Sequence, residues 1–306
     1  MKRAVIYHYF EKDDIYRDNL IFFLNIAVDK DVDYFIYISG TCSINLPNYP
    51  NIEYIYIENK NYDFGAAISF SNHHKSNNYD AYIYINCSVR GPFVPKYIPI
   101  KWYEIFTSKL SDTNGLVGSS INFLPKGSKD SKYFSQKLNK PEPFIHVQTT
   151  SFTLSLECFQ LLKDKGFFNL KDKLDHLDII LRWEISLSQV LIENGYNISS
   201  ILPTYNSVNT NADLNYPNTL REGNPLRKSA FYGRTITPYE NVFVKTNNDQ
   251  ITKRELASYT FTSLEPYFIT DLLSADGNIL FEKMLNECSK RFDFLEKIIF
   301  KLLKNR

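Results

Sequence analysis

The sequence has few of the features that mark several common classes of protein. Its four cysteines lie far apart and form no C-x-x-C pair: Cys42, Cys87, Cys158 and Cys288. This spacing indicates reduced thiols, as in a cytoplasmic protein, and argues against a structural zinc site or a disulfide framework. The formal net charge is +1, from 35 Lys and Arg against 34 Asp and Glu. A protein that coats nucleic acid normally has a clear basic excess, so we exclude that class.

Long apolar runs are also missing. No stretch is long and apolar enough to cross a bilayer. The first residues, MKRAVIYHYFE, contain two basic side chains but no sustained apolar segment and no small-residue cleavage site. We therefore interpret residues 5–9 as a first strand and not as part of a signal peptide. We see no internal repeat and no Pro/Gly-rich linker.

The glycine-rich loops of common nucleotide enzymes do not occur in the sequence. Neither G-x-G-x-x-G nor G-x-x-x-x-G-K-[ST] is present, so nicotinamide, flavin and P-loop chemistry lack their usual signals. A methyltransferase would need a Gly-rich loop after the first strand, where the chain instead has Tyr9-Phe10-Glu11-Lys12. No Ser/His/Asp or Cys/His arrangement indicates nucleophilic catalysis.

Apolar residues are nevertheless plentiful, at 43% of the 306 residues, and their spacing alternates between strand and helix periods in the first half. We predict strands at residues 5–9, 34–38, 52–57, 82–85 and 115–121, with helices at 16–28, 64–70 and 102–110. This alternation predicts an α/β fold with a mainly parallel sheet and helices on both faces.

The second half is less regular. We predict a loop at residues 123–140, a strand at 152–156 followed by a helix through Leu162, a long helix at 176–193, a loop at 206–216, a short strand at 239–245 and a C-terminal helix at 283–304. The long helix has a good stop signal in Asn194-Gly195.

The most informative segment follows the fourth predicted strand, where an apolar run ends abruptly in Asn86, Cys87 and Ser88. Ligands of open α/β sheets bind just beyond the carboxyl ends of strands, so this segment is either the floor of a site or an ordinary polar turn. Upstream, Asp63 and Gly65 stand at a strand-to-helix junction. Asp63 could cap the helix; alternatively, Gly65 clears space for a ligand while the helix N-terminus faces a diphosphate.

Carboxylates are absent from the segment after the central strand. Nucleotide-sugar enzymes often carry Asp-x-Asp there to hold a divalent cation, but the residues at 86–88 are neutral. Asp31-x-Asp33 precedes its strand and so falls at the wrong edge of the sheet. Charge on a leaving diphosphate would then have to be stabilised by basic side chains, and the candidates are Arg90, Arg234 and Lys245.

Three further residues are candidates for acid–base or substrate-orienting work. His146 and Gln148 alternate along an extended segment and so point the same way; they orient a substrate or pack against a neighbouring strand. Glu184 follows Trp183 in the long helix, and a carboxylate among apolar residues can have a raised pKa and act as a general base. The alternative for Glu184 is an ion pair or a surface position.

Several of these segments, in their order and spacing, resemble a family of bacterial and viral polysaccharide glycosyltransferases similar to the rhamnan-synthesis (RgpF-like) proteins. The resemblance covers most of the chain up to about residue 247. It is carried by residues 61–66, 84–93, 102, 115–118, 146–149, 184–188, 195–198 and 238–245.

The resemblance implies a GT-A-like (Rossmann-like) nucleotide-binding domain, which we place at residues 1–250. Residues 251–306 would form a C-terminal helical extension that packs on this domain, on a membrane or on a partner. The resemblance implies that Asp63, Gly65, Asn86 and Ser88 surround the donor, that His146, Gln148 and Glu184 face the acceptor with Glu184 as the base, and that Lys245 approaches the diphosphate. We add Tyr9, Arg90 and Arg234 to the donor-binding residues and Trp183 to the acceptor-binding residues, and we assign catalysis to Glu184, His146 and Lys245. The family often has an acidic residue where this chain has Cys87, so a divalent metal is doubtful and we assign no metal ligand.

The sequence thus predicts a glycosyltransferase, hexosyl- or deoxyhexosyl-specific, that uses a nucleotide-diphosphate sugar as donor. The acceptor would be a hydroxyl of a growing surface polysaccharide (capsule, O-antigen of lipopolysaccharide, or cell-wall glycan), oligosaccharide or lipid-linked. We expect inversion with Glu184 as base, and a cytoplasmic protein with possible peripheral contact to the inner face of the membrane. The alternative is a non-catalytic glycan- or nucleotide-binding module of a glycan-assembly complex.

Overall fold

The computed structural model describes residues 1–170, 172–205, 208 and 223–304, with side chains as far as residue 290. The strands are β1 Arg3–Tyr9, β2 Asp33–Ser39, β3 Ile52–Ile57, β4 Ala81–Asn86, β5 Val89–Arg90, β6 Asn114–Gly118, β7 Ile121–Leu124, β8 Phe144–Val147, β9 Ser151–Ser155, β10 Asn197–Ser200 and β11 Val244–Lys245. The α-helices are α1 Asp14–Ile26, α2 Tyr62–Ser71, α3 Trp102–Thr107, α4 Lys129–Leu138, α5 Leu156–Asp164, α6 His176–Ile179, α7 Ser186–Glu193, α8 Pro238–Asn241, α9 Lys253–Ile269 and α10 Ala275–Lys304. A π-helical segment, Ile180–Ile185, joins α6 to α7, and a 3-10 turn spans Pro203–Tyr205.

A seven-stranded sheet in the order β10-β6-β9-β4-β1-β2-β3 forms the centre of the fold. Its pairs are parallel except those of β9, which runs antiparallel to β4 and β6. The predicted α/β class and mainly parallel sheet are confirmed. After β1 the chain builds outward to β2 and β3, and β4 returns to the other side of β1. The carboxyl ends of β1 and β4 therefore flank the point where strand order reverses, which is where open α/β sheets bind ligands.

Helices cover both faces of this sheet, as predicted. On one face, side chains of α1, α3, α9 and α10 pack against Tyr7, Ile36 and Ile85. On the other face, α2, α5 and α7 pack against the alternate residues of the same strands, such as Ile6 and Tyr84. The strands read as nearly continuous apolar runs because both of their faces are buried.

Four expectations from the sequence need correction. The predicted loop at residues 123–140 contains the end of β7 and the helix α4. Ser128 caps the N-terminus of α4, and its hydroxyl accepts a hydrogen bond from Ser131 N. The predicted strand at 115–121 is two strands, β6 and β7, in different sheets. The predicted strand at 239–245 begins as the short helix α8 and becomes extended only at Val244. The predicted helix 176–193 is interrupted by the π-helical segment. The loop predicted at 206–216 lies outside the described residues, apart from Val208, which bridges Ile198.

The C-terminal helices α9 and α10 lie against each other and against α1. A polar cluster lies beneath them, and we call it the Arg90 cluster; it is buried except for Lys283, whose side chain is 42% exposed. Its members are Arg90, Asp18, Asn19, Thr260 and Lys283. The division of the chain at residue 250 stays a prediction. Among the described residues, no helix combines the length and the apolarity that crossing a membrane requires.

Candidate functional site

Polar residues meet at the carboxyl edge of the sheet, beside the reversal of strand order. Asn86 ends β4, in register with His8 of β1. The Ser88 hydroxyl and backbone N–H both donate to Asn86 Oδ1, at 2.5 and 3.0 Å. These bonds fold residues 86–88 into a tight polar turn. His8 is buried and contacts Ser39 Oγ at 2.9 Å, so it is satisfied within the core.

Asp63 reaches this edge from the first turn of α2, but it does not cap the helix. The cap position belongs to Asn61, in the left-handed conformation and without a side-chain capping bond. Asp63 Oδ2 instead accepts a hydrogen bond from Trp183 Nε1 at 3.0 Å. Burial raises the pKa of the Asp63 carboxyl, and hydrogen bonds from Trp183 and Asn86 together with the charge of Lys245 partly oppose that shift. Asp63 is thus an acidic group that is poorly solvated and close to a cation.

Gly65 serves a different purpose from the one the sequence suggests. A Cβ atom at this position would lie 2.2 Å from the backbone oxygen of Lys60. The missing side chain therefore makes room for the chain entering α2, and not for a ligand. The donor-binding role of Gly65 has no support in its surroundings.

Glu184 is placed by the π-helical segment. Its neighbour Trp183 is only 1% exposed and stacks on Phe64, with ring centroids 4.7 Å apart. Because Trp183 is fixed in the core and its indole N–H donates to Asp63, the structure gives it a packing role instead of the predicted acceptor-binding role. The buried Trp183 anchors the backbone and directs the adjacent Glu184 toward the sheet edge.

The Glu184 carboxyl is partly accessible, with one third of its side-chain surface exposed. Its pKa is raised to about 7, chiefly by desolvation and also by the nearby Asp63 carboxylate, while the charge of Lys245 and a hydrogen bond with Thr149 partly oppose the shift. A carboxyl that titrates near neutrality can take up a proton in a reaction and release it again. Glu184 therefore has the protonation behaviour that the sequence analysis expected of a base.

Lys245 supplies positive charge to the same place. It lies on β11, which pairs antiparallel with β5, so that Lys245 faces Val89 shortly after Asn86 and Ser88. Its charge lowers the pKa of both Asp63 and Glu184. No carboxylate in the described part of the chain lies within 4 Å of its amine, so its charge is available to a bound anion. We refer to Asp63, Asn86, Glu184 and Lys245 as the edge cluster.

His146 and Gln148 also reach the edge cluster, through a chain of side-chain amides. His146 Nε2 lies 3.8 Å from Glu184 Oε2 and 3.4 Å from the Asn122 amide nitrogen. Gln148 donates to Asn122 Oδ1 at 2.5 Å and to Asn224 Oδ1 at 2.9 Å. Burial lowers the pKa of His146 to about 4, so this ring is neutral at physiological pH. A neutral His146 beside Asn122 holds the surroundings of Glu184 in place without adding charge.

Sequence reasoning missed Asn122, Asn224 and Thr149. Asn122 falls between the predicted strand at 115–121 and the predicted loop at 123–140, although it pairs directly with His146 across β7 and β8. The apolar–polar alternation of Ile121, Asn122 and Phe123 was a usable signal for that strand. Nothing local marks Asn224, which follows residues outside the described part of the chain.

Three predicted donor-binding residues lie away from the edge cluster or are held by other groups. Tyr9 is buried, and its hydroxyl donates to Glu11 at 2.9 Å. Arg234 makes a two-pronged ion pair with Glu240, at 2.8 and 2.6 Å. Arg90 is 2% exposed and belongs to the cluster beneath the C-terminal helices. Of the three basic candidates, the structure brings only Lys245 to the edge cluster.

The edge cluster fits a divalent cation poorly. Its two carboxyls, Asp63 and Glu184, have raised pKa values and so favour the protonated form, Asn86 is neutral, and the amine of Lys245 would repel a metal ion. Among the described residues, no group of three or more His, Cys, Asp or Glu side chains is arranged to hold a metal ion. We therefore derive no chemical step through a metal.

Comparison with known proteins gives limited results. No family model matches the sequence, and no curated protein matches it. Partial similarity to solved structures does exist. The galactosyltransferase LgtC in complex with donor and acceptor sugar analogs has a TM-score of 0.35 and 13% identity, over 64% of this chain and 73% of its own.

Two further structures have similar scores. The Q189E active-site mutant of LgtC has a TM-score of 0.37 and 13% identity, over 78% of this chain and 85% of its own. The bifunctional glycosyltransferase WbbM, in its apo form, has a TM-score of 0.33 and 11% identity over 64% of this chain, which spans 37% of the WbbM chain. These scores are too low to carry an activity or a site from one protein to another, so we base the function on the geometry of the edge cluster.

Proposed function

We propose that this protein is a glycosyltransferase that moves a sugar from a nucleotide-diphosphate donor to a hydroxyl of a glycan. The observation that carries the proposal is the Glu184 carboxyl, whose pKa is raised to about 7. It stands beside a lysine that forms no ion pair among the described residues, at the reversal of strand order. This combination offers a base and an anion-binding cation within one site, as sugar transfer from a diphosphate requires.

The proposed reaction is a direct displacement. Glu184 takes the proton of the acceptor hydroxyl, and the oxygen forms a bond to the anomeric carbon of the donor sugar. The bond between that carbon and the diphosphate oxygen breaks, and the leaving group keeps the electron pair. Lys245 stabilises the negative charge that develops on the diphosphate. A single base with one displacement leads to inversion at the anomeric carbon.

The other residues of the site would bind and orient. Asn86 and Ser88 present amide and hydroxyl groups that suit hydrogen bonding to the donor sugar. Asp63 adjusts the pKa of Glu184, and His146 with Gln148 orders the acceptor side. We further propose, from the sequence resemblance, that the product is a capsular, O-antigen or cell-wall glycan and that the transferred sugar is a hexose or deoxyhexose.

A second candidate function is a non-catalytic module that binds nucleotides or glycans. The neutral residues 86–88 favour it, because the usual carboxylates for a metal are missing there. The two candidates differ in one outcome: only a transferase consumes the donor.

The first experiment incubates the purified protein with a panel of nucleotide sugars and glycan acceptors and follows release of the nucleoside diphosphate. We expect turnover with one donor class and its loss in Glu184→Gln. Glu193→Gln is the matched control, because Glu193 is a carboxylate on the adjoining helix that pairs with Lys140. Equal turnover in Glu184→Gln and the native protein would contradict the assignment of the base.

A thermal-shift series with the same nucleotides tests donor binding independently, because a ligand that binds only the folded state raises Tm. We expect a shift that persists in excess chelator and diminishes in Lys245→Met. A shift without any donor turnover would favour the binding module, and a shift that requires Mn²⁺ would contradict the role given to Lys245.

A further inference from the structure

A cavity of about 330 Å³ opens directly beside Glu184 and His146. Its walls come from β7, α4, the π-helical segment and the chain after residue 223. Of the residues that the sequence analysis places on the acceptor side, His146 and Glu184 line it, whereas Gln148 and Trp183 do not. Its volume falls at the lower end of the range of roughly 300 to 1,000 Å³ that is usual for small-molecule sites.

The cavity combines polar and apolar walls. The polar groups are the amides of Asn122 and Asn224, the Asp130 carboxylate and the Arg227 guanidinium, and apolar side chains such as Phe134 and Ile180 complete the lining. Leu177 also lines the cavity, and it is 49% exposed. A sugar ring presents hydroxyl groups at its edge and C–H groups on its face. The hydroxyl groups can hydrogen-bond to the polar wall, and the C–H groups can pack against the apolar wall.

The cavity wall carries charges of both signs. Asp130 contributes one negative charge and Arg227 one positive charge, Glu184 adds a second negative charge when it is ionised, and His146 is neutral because burial lowers its pKa to about 4. The Nδ1 atom of His146 and the Oε1 atom of Gln148 are buried and have no hydrogen-bond partner within the described part of the chain. An anionic ligand would meet the carboxylates of Asp130 and Glu184, and a cationic ligand would meet the Arg227 guanidinium, whereas an uncharged polyhydroxylated ring meets no like charge and can hydrogen-bond to all three.

We propose that this cavity binds the terminal uncharged pyranose of the acceptor, with Asp130 and Arg227 as the residues that determine its specificity. The inference rests on the proposed glycosyl transfer, since Glu184 in the cavity wall would take the proton of the acceptor hydroxyl. Asn122 serves both the cavity and the support of His146, and so couples acceptor binding to the position of the base.

Binding can be measured without any reaction. We would titrate the protein with p-nitrophenyl pyranosides (glucoside, galactoside, rhamnoside and N-acetylglucosaminide) and observe saturation-transfer NMR. We expect at least one to bind, and Arg227→Ala to weaken it about tenfold or more, as loss of a hydrogen bond to a charged group predicts. Leu177→Trp should narrow the cavity and weaken sugar binding to a similar extent. Because Leu177 is half exposed, the fold can accommodate the larger ring.

Two variants are matched controls. Asp249→Asn breaks the ion pair of Asp249 with Arg227, at 3.5 Å, but leaves the guanidinium in place. Asp112→Asn removes an exposed carboxylate outside the cavity, as a match for Asp130→Asn. Both controls should bind the sugar like the native protein. Unchanged binding in Arg227→Ala, Asp130→Asn and Leu177→Trp, or no binding of any of the four sugars, would overturn the proposal.

Donor hydrolysis by water separates this inference from the proposed function. If the proposed function holds, Arg227→Ala and Leu177→Trp should hydrolyse the donor at the native rate while the KM for the sugar rises about tenfold. If these variants turn over the donor with an unchanged KM for the acceptor, the proposal that the cavity binds the acceptor is wrong, and the proposed glycosyl transfer still holds. If no donor is consumed but the sugar binds as described, the transferase fails and the cavity remains as a sugar site.

Discussion

Two clusters of charged residues flank the segment after β4, and they use the same kinds of side chain. The edge cluster sets Asp63 and Glu184 beside Lys245. The Arg90 cluster sets Asp18 beside Arg90 and Lys283, with Lys283 Nζ 2.7 Å from Asp18 Oδ2. Asn86 leads into the first cluster and Arg90, four residues later, into the second.

The difference between the clusters lies in how far their polar groups are satisfied. Arg90 donates to Asn19 Oδ1 at 2.9 Å and to Thr260 Oγ1 at 3.1 Å, and its other nitrogen lies 3.8 Å from Asp18. In the edge cluster, the carboxyls have raised pKa values and the lysine has no carboxylate partner among the described residues. Removing one partner of a buried, paired charge strongly destabilises a fold, whereas charged groups with perturbed pKa values and no ion-pair partner are typical of functional sites. Residue type alone does not distinguish these two cases.

Among substitutions in the two clusters, we expect the largest effect to be on activity, at Glu184 of the edge cluster. Glu184→Gln should reduce kcat by about 10²- to 10⁴-fold, the usual contribution of a general base, without loss of folding. Steady-state rates with a saturating donor measure the first effect and thermal melting the second. If Glu184→Gln loses activity only because it unfolds, Glu184 has a structural role and is not the base.

Glu184→Gln should also change the dependence of stability on pH in a defined direction. The raised pKa means that the folded state holds this proton more tightly than the unfolded state. The native protein therefore loses stability as pH rises from the ordinary value of 4.5 through about 7. The glutamine variant should lack this loss and should melt at a higher temperature than the native protein at pH 8.

Substitutions in the Arg90 cluster should reduce stability and leave activity unchanged. Arg90→Ala leaves Asp18 buried with only Lys283 as a cationic partner, and we expect a loss of about 3 kcal/mol in the free energy of unfolding. Urea denaturation measures it. At temperatures where the variant is folded, its KM for the donor should match that of the native protein. A large rise in that KM would support the donor-binding role that the sequence analysis gave to Arg90.

A smaller effect is expected on the pH profile. The activity should rise as pH increases through about 7, because Glu184 must be ionised to accept a proton. Asp63→Asn removes a negative charge that raises the pKa of Glu184, so the rise should move to lower pH. Profiles of kcat/KM between pH 5 and 9 measure the shift. Movement to higher pH, or no movement, would contradict the electrostatic link between the two carboxyls.

The smallest effect is expected at Arg234, whose ion pair with Glu240 lies at the surface, with half of the arginine side chain exposed. Exposed pairs contribute about 0 to 1 kcal/mol, so Arg234→Ala should change the free energy of unfolding by less than about 1 kcal/mol. Chemical denaturation checks this value. A strong loss of donor affinity in the same variant would restore Arg234 to the donor site.

The sequence predicted the parts of the fold that depend on local pattern. Strands β1 to β4 and helices α1 and α2 follow from apolar periodicity, and Glu184 and Lys245 were identified as candidates. Pairing between distant segments was not predictable. The antiparallel insertion of β9 and the pairing of β7 with β8 depend on contacts across tens of residues. For that reason Asn122 and the cavity beside it were missed, and the partners of Arg90, on helices far along the chain, were not foreseen.

The π-helical segment determines the direction in which Glu184 points relative to α7. A π turn holds one residue more than an α turn, and here Ser186 N–H bonds to Leu181 O, five residues back. Removing one residue between Ile180 and Ile185 would restore an uninterrupted α-helix and rotate the residues before the deletion by about 100° relative to those after it. Trp183 and Glu184 would then no longer point in their present directions relative to the side chains of α7. The additional residue of the π turn therefore sets the direction of this carboxyl, and deleting one residue here should move Glu184 away from the sheet edge while α7 keeps its place.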